Sequence, residues 1–249
     1  MPQDMPAPAS ATTSWATLLA ASCNLLNLAL PGRRFYDNQD PFDANEYEKK
    51  IAWLGAMLER LNGDVVGFQE VWDESALKAA VARSALRYGL VVAPGAEAGA
   101  TGTPRVGLAT RLTVESIESI AGFAPTDVVH VPEIGEHTRF ERPVLKAALR
   151  TKQGQRLHVL VVHLKSKRPK FLQDAQGQPL EDRDDPKIVA RAALRALLMR
   201  GAEAAALRGI VVDLIHRTRE PLIVAAAEAS CDGVRCWSIA VLRSGRSAP

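Results

Sequence analysis

The sequence predicts an α/β fold built on a mixed β-sheet or on two sheets. Two observations carry this reading. Short apolar, β-branched runs alternate with amphipathic helical stretches, and two late runs flank a tight polar turn, as an antiparallel hairpin does. The chain has 249 residues, 47% of them hydrophobic and 24% charged, which is the composition of a globular protein that can bury a sizeable core.

The elements follow in order. Residues 1–14, MPQDMPAPASATTS, are rich in Pro, Ala, Ser and Thr and read as a disordered leader. Thr17 to Leu28 reads as a buried strand that carries Asn24 and Asn27 at its end. A loop, PGRRFYDNQDPFD, leads to a helix from Ala44 to Leu61, with Tyr47, Ile51, Leu54, Leu58 and Leu61 at helical spacing. Asp43 is placed to cap its start and Gly63 to end it. DVVGFQEV, 64–71, is a second buried strand, and Asp73 can cap the helix ESALKAAVARSAL. Strands GLVVAP and VGLATRL follow, separated by a Gly/Ala/Thr loop.

The hairpin comprises PVLKAALRT (143–151) and RLHVLVVHL (156–164) around the turn KQGQ. A polar connector from Lys165 to Pro186 should be mobile over DAQGQPLEDRDDP. A long Ala- and Arg-rich helix comes next, with breaks expected near Gly201 or Gly209, and then a short strand at 222–224. The domain division is a leader at 1–14, one domain at 15–224 and a divergent tail at 225–249.

Several function classes drop out. The net charge of +3 permits a phosphate-bearing partner without demanding one. Cys23, Cys231 and Cys236 are too few for a disulfide framework and lack the second ligand pair of a structural zinc site, so they read as inert thiols. WATLLAASCNLLNLALPG has no basic region before it and is interrupted by asparagines, unlike a secretory signal. No stretch reaches the length of a membrane span. These features point to a soluble, cytoplasmic protein.

Three polar residues lie in or at the end of apolar strands: Asn24, Glu70 and His163. A carboxylate there is costly unless it is paired or bound to a cation. The amide oxygen of Asn24 with the carboxylate of Glu70 would make a sparse all-oxygen site of the kind Mg²⁺ or Mn²⁺ accepts, with water and substrate phosphate completing the shell. His158 and His163 are five apart on one strand, so their rings fall on opposite faces. His163, at the strand end, stands beside Lys165, Lys167, Arg168 and Lys170, a set suited to collecting phosphate. His130, His137 and His216 have no such setting and read as surface or structural residues.

In order, SCNLLNL, DVVGFQEV, VGLATR, RPVLKAAL and LHVLVVHLKSKRP resemble the endonuclease/exonuclease/phosphatase family, the DNase I-like superfamily, over residues 17–224. The resemblance implies a four-layer sandwich of two mixed sheets flanked by helices, with the site where strand ends meet at one edge. It implies Mg²⁺-dependent hydrolysis of phosphodiesters in nucleic acid or related substrates. Asn24 and Glu70 match the family's metal-site residues, His163 its phosphate-contacting histidine, and Arg142 a phosphate-facing arginine. Lys165, Lys167 and Arg168 would form the phosphate-binding rim.

The strand equivalent to PLIV runs, in the family, into Gly-Asp-x-Asn, and a Ser-Asp-His segment follows near the C-terminus. Here the first place reads AAAEAS, and Glu228 and Asp232 are the carboxylates after Val224. The catalytic groups of the C-terminal half are therefore missing and the last strands incomplete. The alternative to an active nuclease-type phosphoesterase is an impaired member that retains only metal, phosphate or nucleic-acid binding. WSIAVL, 237–242, is available to patch an open sheet edge as a substitute strand.

Overall fold

The computed structural model describes residues 17–34, 39–92, 104–226 and 235–240. The leader read at 1–14, the Gly/Ala/Thr loop, and Glu228, Cys231 and Asp232 of the tail lie outside them. The described elements are β1 (Leu19–Leu28), α1 (Ala44–Leu61), β2 (Val65–Val71), α2 (Glu74–Ala82), β3 (Gly89–Val92), β4 (Arg105–Thr110) and β5 (Thr113–Gly122), followed by β6 (Val129–Val131), β7 (Gly135–His137), β8 (Arg139–Arg150), β9 (Arg156–Val162), α3 (Pro186–Thr218), β10 (Leu222–Ala226) and β11 (Arg235–Ala240).

They form a five-stranded sheet in the order β11-β1-β2-β4-β3, a four-stranded sheet in the order β10-β9-β8-β5, and a small β6-β7 ribbon. Both large sheets are mixed: β1 with β2 and β9 with β10 are parallel, and their other pairs are antiparallel.

The period-2 alternation of strand side chains builds the layers. Val159 and Val161 of β9 face inward with Val65, Leu108 and Ile223 to fill the space between the sheets. Their neighbours Leu160 and Val162 face the other way, against Ala206, Leu207 and Ile210 of α3. On the far side, Leu25 and Phe68 pack beneath Leu54 and Leu58 of α1 and Leu77 of α2. The result is helix, sheet, sheet, helix: a four-layer α/β sandwich of two mixed sheets, as the resemblance implies.

The sheets approach closely at one point. A Cβ on Gly67 would lie 2.5 Å from the Cβ of Ala225 and 3.1 Å from Val161, so glycine on β2 and alanine on β10 are required together. Just beside this contact the Gln69 amide donates to the Ala225 carbonyl at 3.3 Å, tying the two sheets.

Local details depart from the sequence reading in several places. Asp43 and Glu46 form a capping box at α1, as the Asp43 position suggests, but Asn62, in the left-handed region at φ 45°, closes the helix ahead of Gly63. Asp73 makes no side-chain cap for α2; its carboxylate instead accepts from Leu30 N–H and Arg33. α3 runs unbroken through Gly201 and Gly209 for 33 residues. Each glycine costs a helix about 1 kcal/mol, and the Ala-rich face packed on the second sheet outweighs that. β5 was not anticipated, because its residues are mostly exposed and alternate weakly.

The connector after β9 is tied down rather than mobile. Asp174 closes a turn by accepting from Gln176 and Gln178 N–H. Glu181 pairs with Arg195 of α3, whose side chain is 1% exposed.

Two further differences concern the tail and its cysteines. β11 pairs antiparallel with β1, so the WSIAVL region does supply an edge strand, to the five-stranded sheet. Cys23 is disulfide-bonded, not an inert thiol, and the residue opposite it in the β1–β11 ladder is Cys236. Spacing in the sequence could not show this, because a sheet register brings the two positions together.

Candidate active site

Strands β1 and β2 lose register at the same level. The β1–β2 ladder shifts between Asn24 and Leu28, and the β2–β4 ladder shifts between Phe68 and Val71. Leu26, Asn27 and Glu70 all have positive φ (48°, 59° and 63°). Non-glycine residues in that region cost energy and persist when their surroundings hold them, often at functional sites.

What holds them is a closed set of hydrogen bonds. Asn24 Nδ2 donates to Glu70 Oε1 at 2.9 Å, and Asn27 N–H donates to Glu70 Oε2 at 3.1 Å. Leu26 N–H donates to Asn24 Oδ1 at 2.9 Å, and the Trp72 indole N–H donates to Asn27 Oδ1 at 3.0 Å. Asn24 and Glu70 are buried. The two bulges thus turn one amide and one carboxylate onto each other at the end of the five-stranded sheet.

The other sheet supplies His163, the residue after β9, on the inward-facing register of Val159 and Val161. Its Nε2 lies 3.8 Å from Glu70 Oε1, and its side chain is 3% exposed. Among the described residues neither ring nitrogen has a hydrogen-bond partner, and Arg142 Nε is likewise buried and unpartnered. Arg142 comes from the adjacent β8 and reaches the Leu164 carbonyl through Nη1 at 3.4 Å. Burial pushes the His163 imidazole down to about 3, with the Arg142 and Arg200 guanidiniums adding to the shift. The ring is neutral at neutral pH, and its N–H is free to donate to an anion.

The structure therefore brings together Asn24, Glu70, His163 and the Arg142 side of the site. The rim residues differ from one another. Lys165 is buried, and its Nζ donates to the Ser166 and Arg168 carbonyls at 3.2 and 3.3 Å, so its ammonium is committed to shaping the loop. Lys167 and Arg168 are exposed.

Two residues of this region escape a sequence reading. Lys50 of α1, a helix residue with an ordinary amphipathic position, donates to the Leu26 carbonyl at 2.5 Å and stacks 4.4 Å from the Phe42 ring centroid. Burial lowers its ammonium to about 8, and the Glu70 carboxylate opposes part of that shift. Glu203, in the middle of α3, is fully buried and accepts from Glu141 N–H at 2.8 Å and Lys165 N–H at 2.5 Å. Burial raises its carboxyl above the ordinary range. A charged residue on the buried stripe of a predicted helix is the signal that could have found it.

Among the described residues, no three His, Cys, Asp or Glu side chains gather where they could hold a metal ion. Glu70 is the carboxylate at the strand ends, and Asn24 turns its NH₂ group, not its oxygen, toward it. The all-oxygen pair expected of Asn24 and Glu70 is therefore not formed: Asn24 Oδ1 accepts from Leu26 N–H, and one carboxylate is what a hydrated Mg²⁺ could use here. This donor set does not fit zinc. No helix among the described residues is long and apolar enough to cross a membrane.

No family model and no curated protein matches the chain. Several solved structures align with it at low identity. The human Nocturnin catalytic domain with bound sulfate is 15% identical, with a TM-score of 0.49 over 84% of this chain and 64% of that one. TDP2 of D. rerio complexed with a single-strand DNA product is 17% identical, with a TM-score of 0.44 over 84% of this chain and 58% of that one. An endonuclease/exonuclease/phosphatase family protein from Bacteroides thetaiotaomicron is 13% identical, with a TM-score of 0.46 over 85% of this chain and 63% of that one. The chain thus spans less than two thirds of the length of each of these three proteins.

Proposed function

We propose that this chain is a phosphodiester-binding protein of the nuclease type, with Mg²⁺ or Mn²⁺ at Glu70 and a metal-dependent hydrolytic activity well below that of a complete site. The observation that carries the reading is the pair of unpartnered groups beside a carboxylate. His163 and Arg142 Nε are buried without acceptors, and Glu70 Oε1 lies 3.8 Å from the imidazole. Buried donors without partners are costly. A phosphate oxygen is an acceptor that would satisfy both, and an anion is favoured beside the Arg142 charge.

Each residue has a separate task. Glu70 would hold the cation, which would supply charge neutralisation at the phosphate. Asn24 and Asn27 N–H orient the carboxylate. His163 and Arg142 would donate to the non-bridging phosphate oxygens. The exposed Lys167 and Arg168 would add a salt-sensitive attraction for nucleic acid or another phosphodiester.

Binding should outlast turnover. Hydrolysis needs a group that takes the proton of the attacking water, and a positioned base contributes ~10²–10⁴-fold. An imidazole depressed to about 3 is a weak base. At the end of β10, where the family motif would begin, Ala225 is buried in the contact between the sheets. The disulfide at Cys23 fits an oxidising compartment and weighs against the cytoplasmic location expected from the sequence.

The experiment is incubation of the purified chain with Mg²⁺ and a chromogenic phosphodiester, and separately with plasmid DNA, alongside Glu70→Gln. Slow hydrolysis that requires metal and vanishes in Glu70→Gln supports the enzymatic reading. Phosphate binding without turnover supports the binding-only reading. Hydrolysis unaffected by Glu70→Gln overturns the assigned site.

A further inference from the structure

We infer that Glu203 is a positioning residue of the anion-binding half of the site, the single carboxylate that fixes both Arg142 and His163 for a phosphate ligand. The inference rests on the phosphodiester reading of the site given above. Glu203 lies in the middle of α3, away from the strand ends, and touches neither Arg142 nor His163 through its own oxygens. It acts through their backbones.

Oε1 accepts the N–H of Glu141, the residue before Arg142, and Oε2 accepts the N–H of Lys165, two residues after His163. The two N–H groups belong to neighbouring segments, since β8 and β9 are paired and Arg142 Nη1 reaches the Leu164 carbonyl. One rigid planar group with an oxygen on each segment sets their spacing where the ladder ends and no further rungs can. Arg200 Nη1, three residues before Glu203 on α3, donates to the Lys165 carbonyl at 3.1 Å, so the same helix holds Lys165 through both of its backbone polar groups.

The burial supports a dedicated role. A carboxylate with no exposed surface is expensive, and two backbone N–H donors with the Arg142 guanidinium nearby are what make it tolerable here. A hydrophobic residue would cover the sheet face equally well. A carboxylate at this position serves the two backbone segments.

The sign of one effect separates positioning from electrostatics. Glu203 is an anion near a site proposed to take an anion, so its charge alone opposes phosphate. Removing the charge without a positioning role would strengthen phosphate binding or leave it unchanged. If Glu203 positions Arg142 and His163, Glu203→Gln must weaken binding, because the amide offers one acceptor where two N–H groups need one each.

The test is a titration of inorganic phosphate into the full chain by ³¹P line broadening or calorimetry, with wild type, Glu203→Gln, Arg142→Ala and the double variant. Expected is a roughly tenfold loss of affinity in Glu203→Gln, and in the double variant a loss smaller than the sum of the two single losses, because the His163 share of the positioning remains to be lost after Arg142→Ala. Unchanged or tighter binding in Glu203→Gln overturns the inference, as does full additivity with Arg142→Ala. If Glu203→Gln does not fold, Glu203→Asp replaces it: the charge stays while the reach shortens, so weakened binding supports positioning and unchanged binding overturns it. A wild-type chain that binds no phosphate, or binds it equally well after Arg142→Ala, overturns the site reading itself, an outcome distinct from failure of the Glu203 role alone.

Discussion

The two sheets bring unlike halves to the strand-end site. On the five-stranded side, both carboxylate oxygens of Glu70 are occupied, by Asn24 Nδ2 and Asn27 N–H, and Lys50 and Trp72 fasten the loop behind them. On the four-stranded side, His163 is as deeply buried, yet among the described residues neither of its nitrogens has a partner, and Arg142 Nε is also without one. One half is a finished hydrogen-bond network that holds three left-handed residues in place. The other has unused polar capacity. Satisfied polar groups rigidify a structure, whereas unsatisfied ones weaken it until a ligand arrives. Stability and ligand binding should therefore respond oppositely in the two halves.

The largest effect should come from the finished half. Glu70→Ala strands one buried and one half-buried donor, and its cost in urea unfolding should be about 2–4 kcal/mol. A variant as stable as wild type would break the contrast at its root.

The pH dependence of stability should come next, from the unfinished half. His163 is depressed from 6.5 to about 3, so the unfolded chain takes up a proton below 6.5 while the folded chain does not. The contribution of this residue is complete above 6.5 and is lost as pH falls toward 3. Between pH 7 and pH 4 the loss should be about 3 kcal/mol. His163→Leu should lack this component while retaining any from His137, whose imidazole burial also depresses. Identical pH profiles for the two proteins would show that His163 is solvated in solution.

At neutral pH, His163→Leu should be more stable than wild type by about 1 kcal/mol, because it removes two buried, unpaired nitrogens. The same variant should bind phosphate at least tenfold more weakly. Loss of stability together with binding would mean that the imidazole has a structural partner. The smallest effect belongs to the exposed rim: Lys167→Ala should weaken phosphate binding by less than about threefold, and the difference should vanish in 0.5 M salt.

The contrast also explains what the sequence could disclose. Asn24, Glu70 and His163 stand out in the sequence because each is a polar residue closing an apolar run; strand periodicity gives the face of His163, whereas the bulge that turns Glu70 toward it left no such signal. β1, β2, β8, β9 and α1 were legible for the same reason, their buried sides repeating at strand or helix spacing. β5 was not, since an exposed edge strand has no buried face to betray it. Lys165 resembled its neighbours Lys167 and Arg168 in sequence, and only the fold shows its ammonium turned inward onto carbonyls. Lys50 acts on a backbone carbonyl far away in the chain, and such a partner leaves no trace in side-chain pattern, whereas Glu203 shows in the sequence only as a charge on a buried helix stripe, without its partners. The disulfide at Cys23 and the pairing of β1 with β11 were not legible, since a contact between the two ends of the chain leaves no periodic signal.

The close approach of Gly67 and Ala225 bears on how this site could be altered. The three alanines after Val224 look, in sequence, like vacant positions into which acidic residues could be placed. Ala225 is not vacant: its methyl group occupies the space left by the missing Gly67 side chain, and its carbonyl accepts from Gln69. An aspartate there would wedge the two sheets apart before it reached any substrate. Ala226, whose side chain is exposed at the end of β10, is the earliest position where a carboxylate could be grafted without disturbing the sandwich. A carboxylate added by design would have to begin at Ala226 and leave Ala225 small.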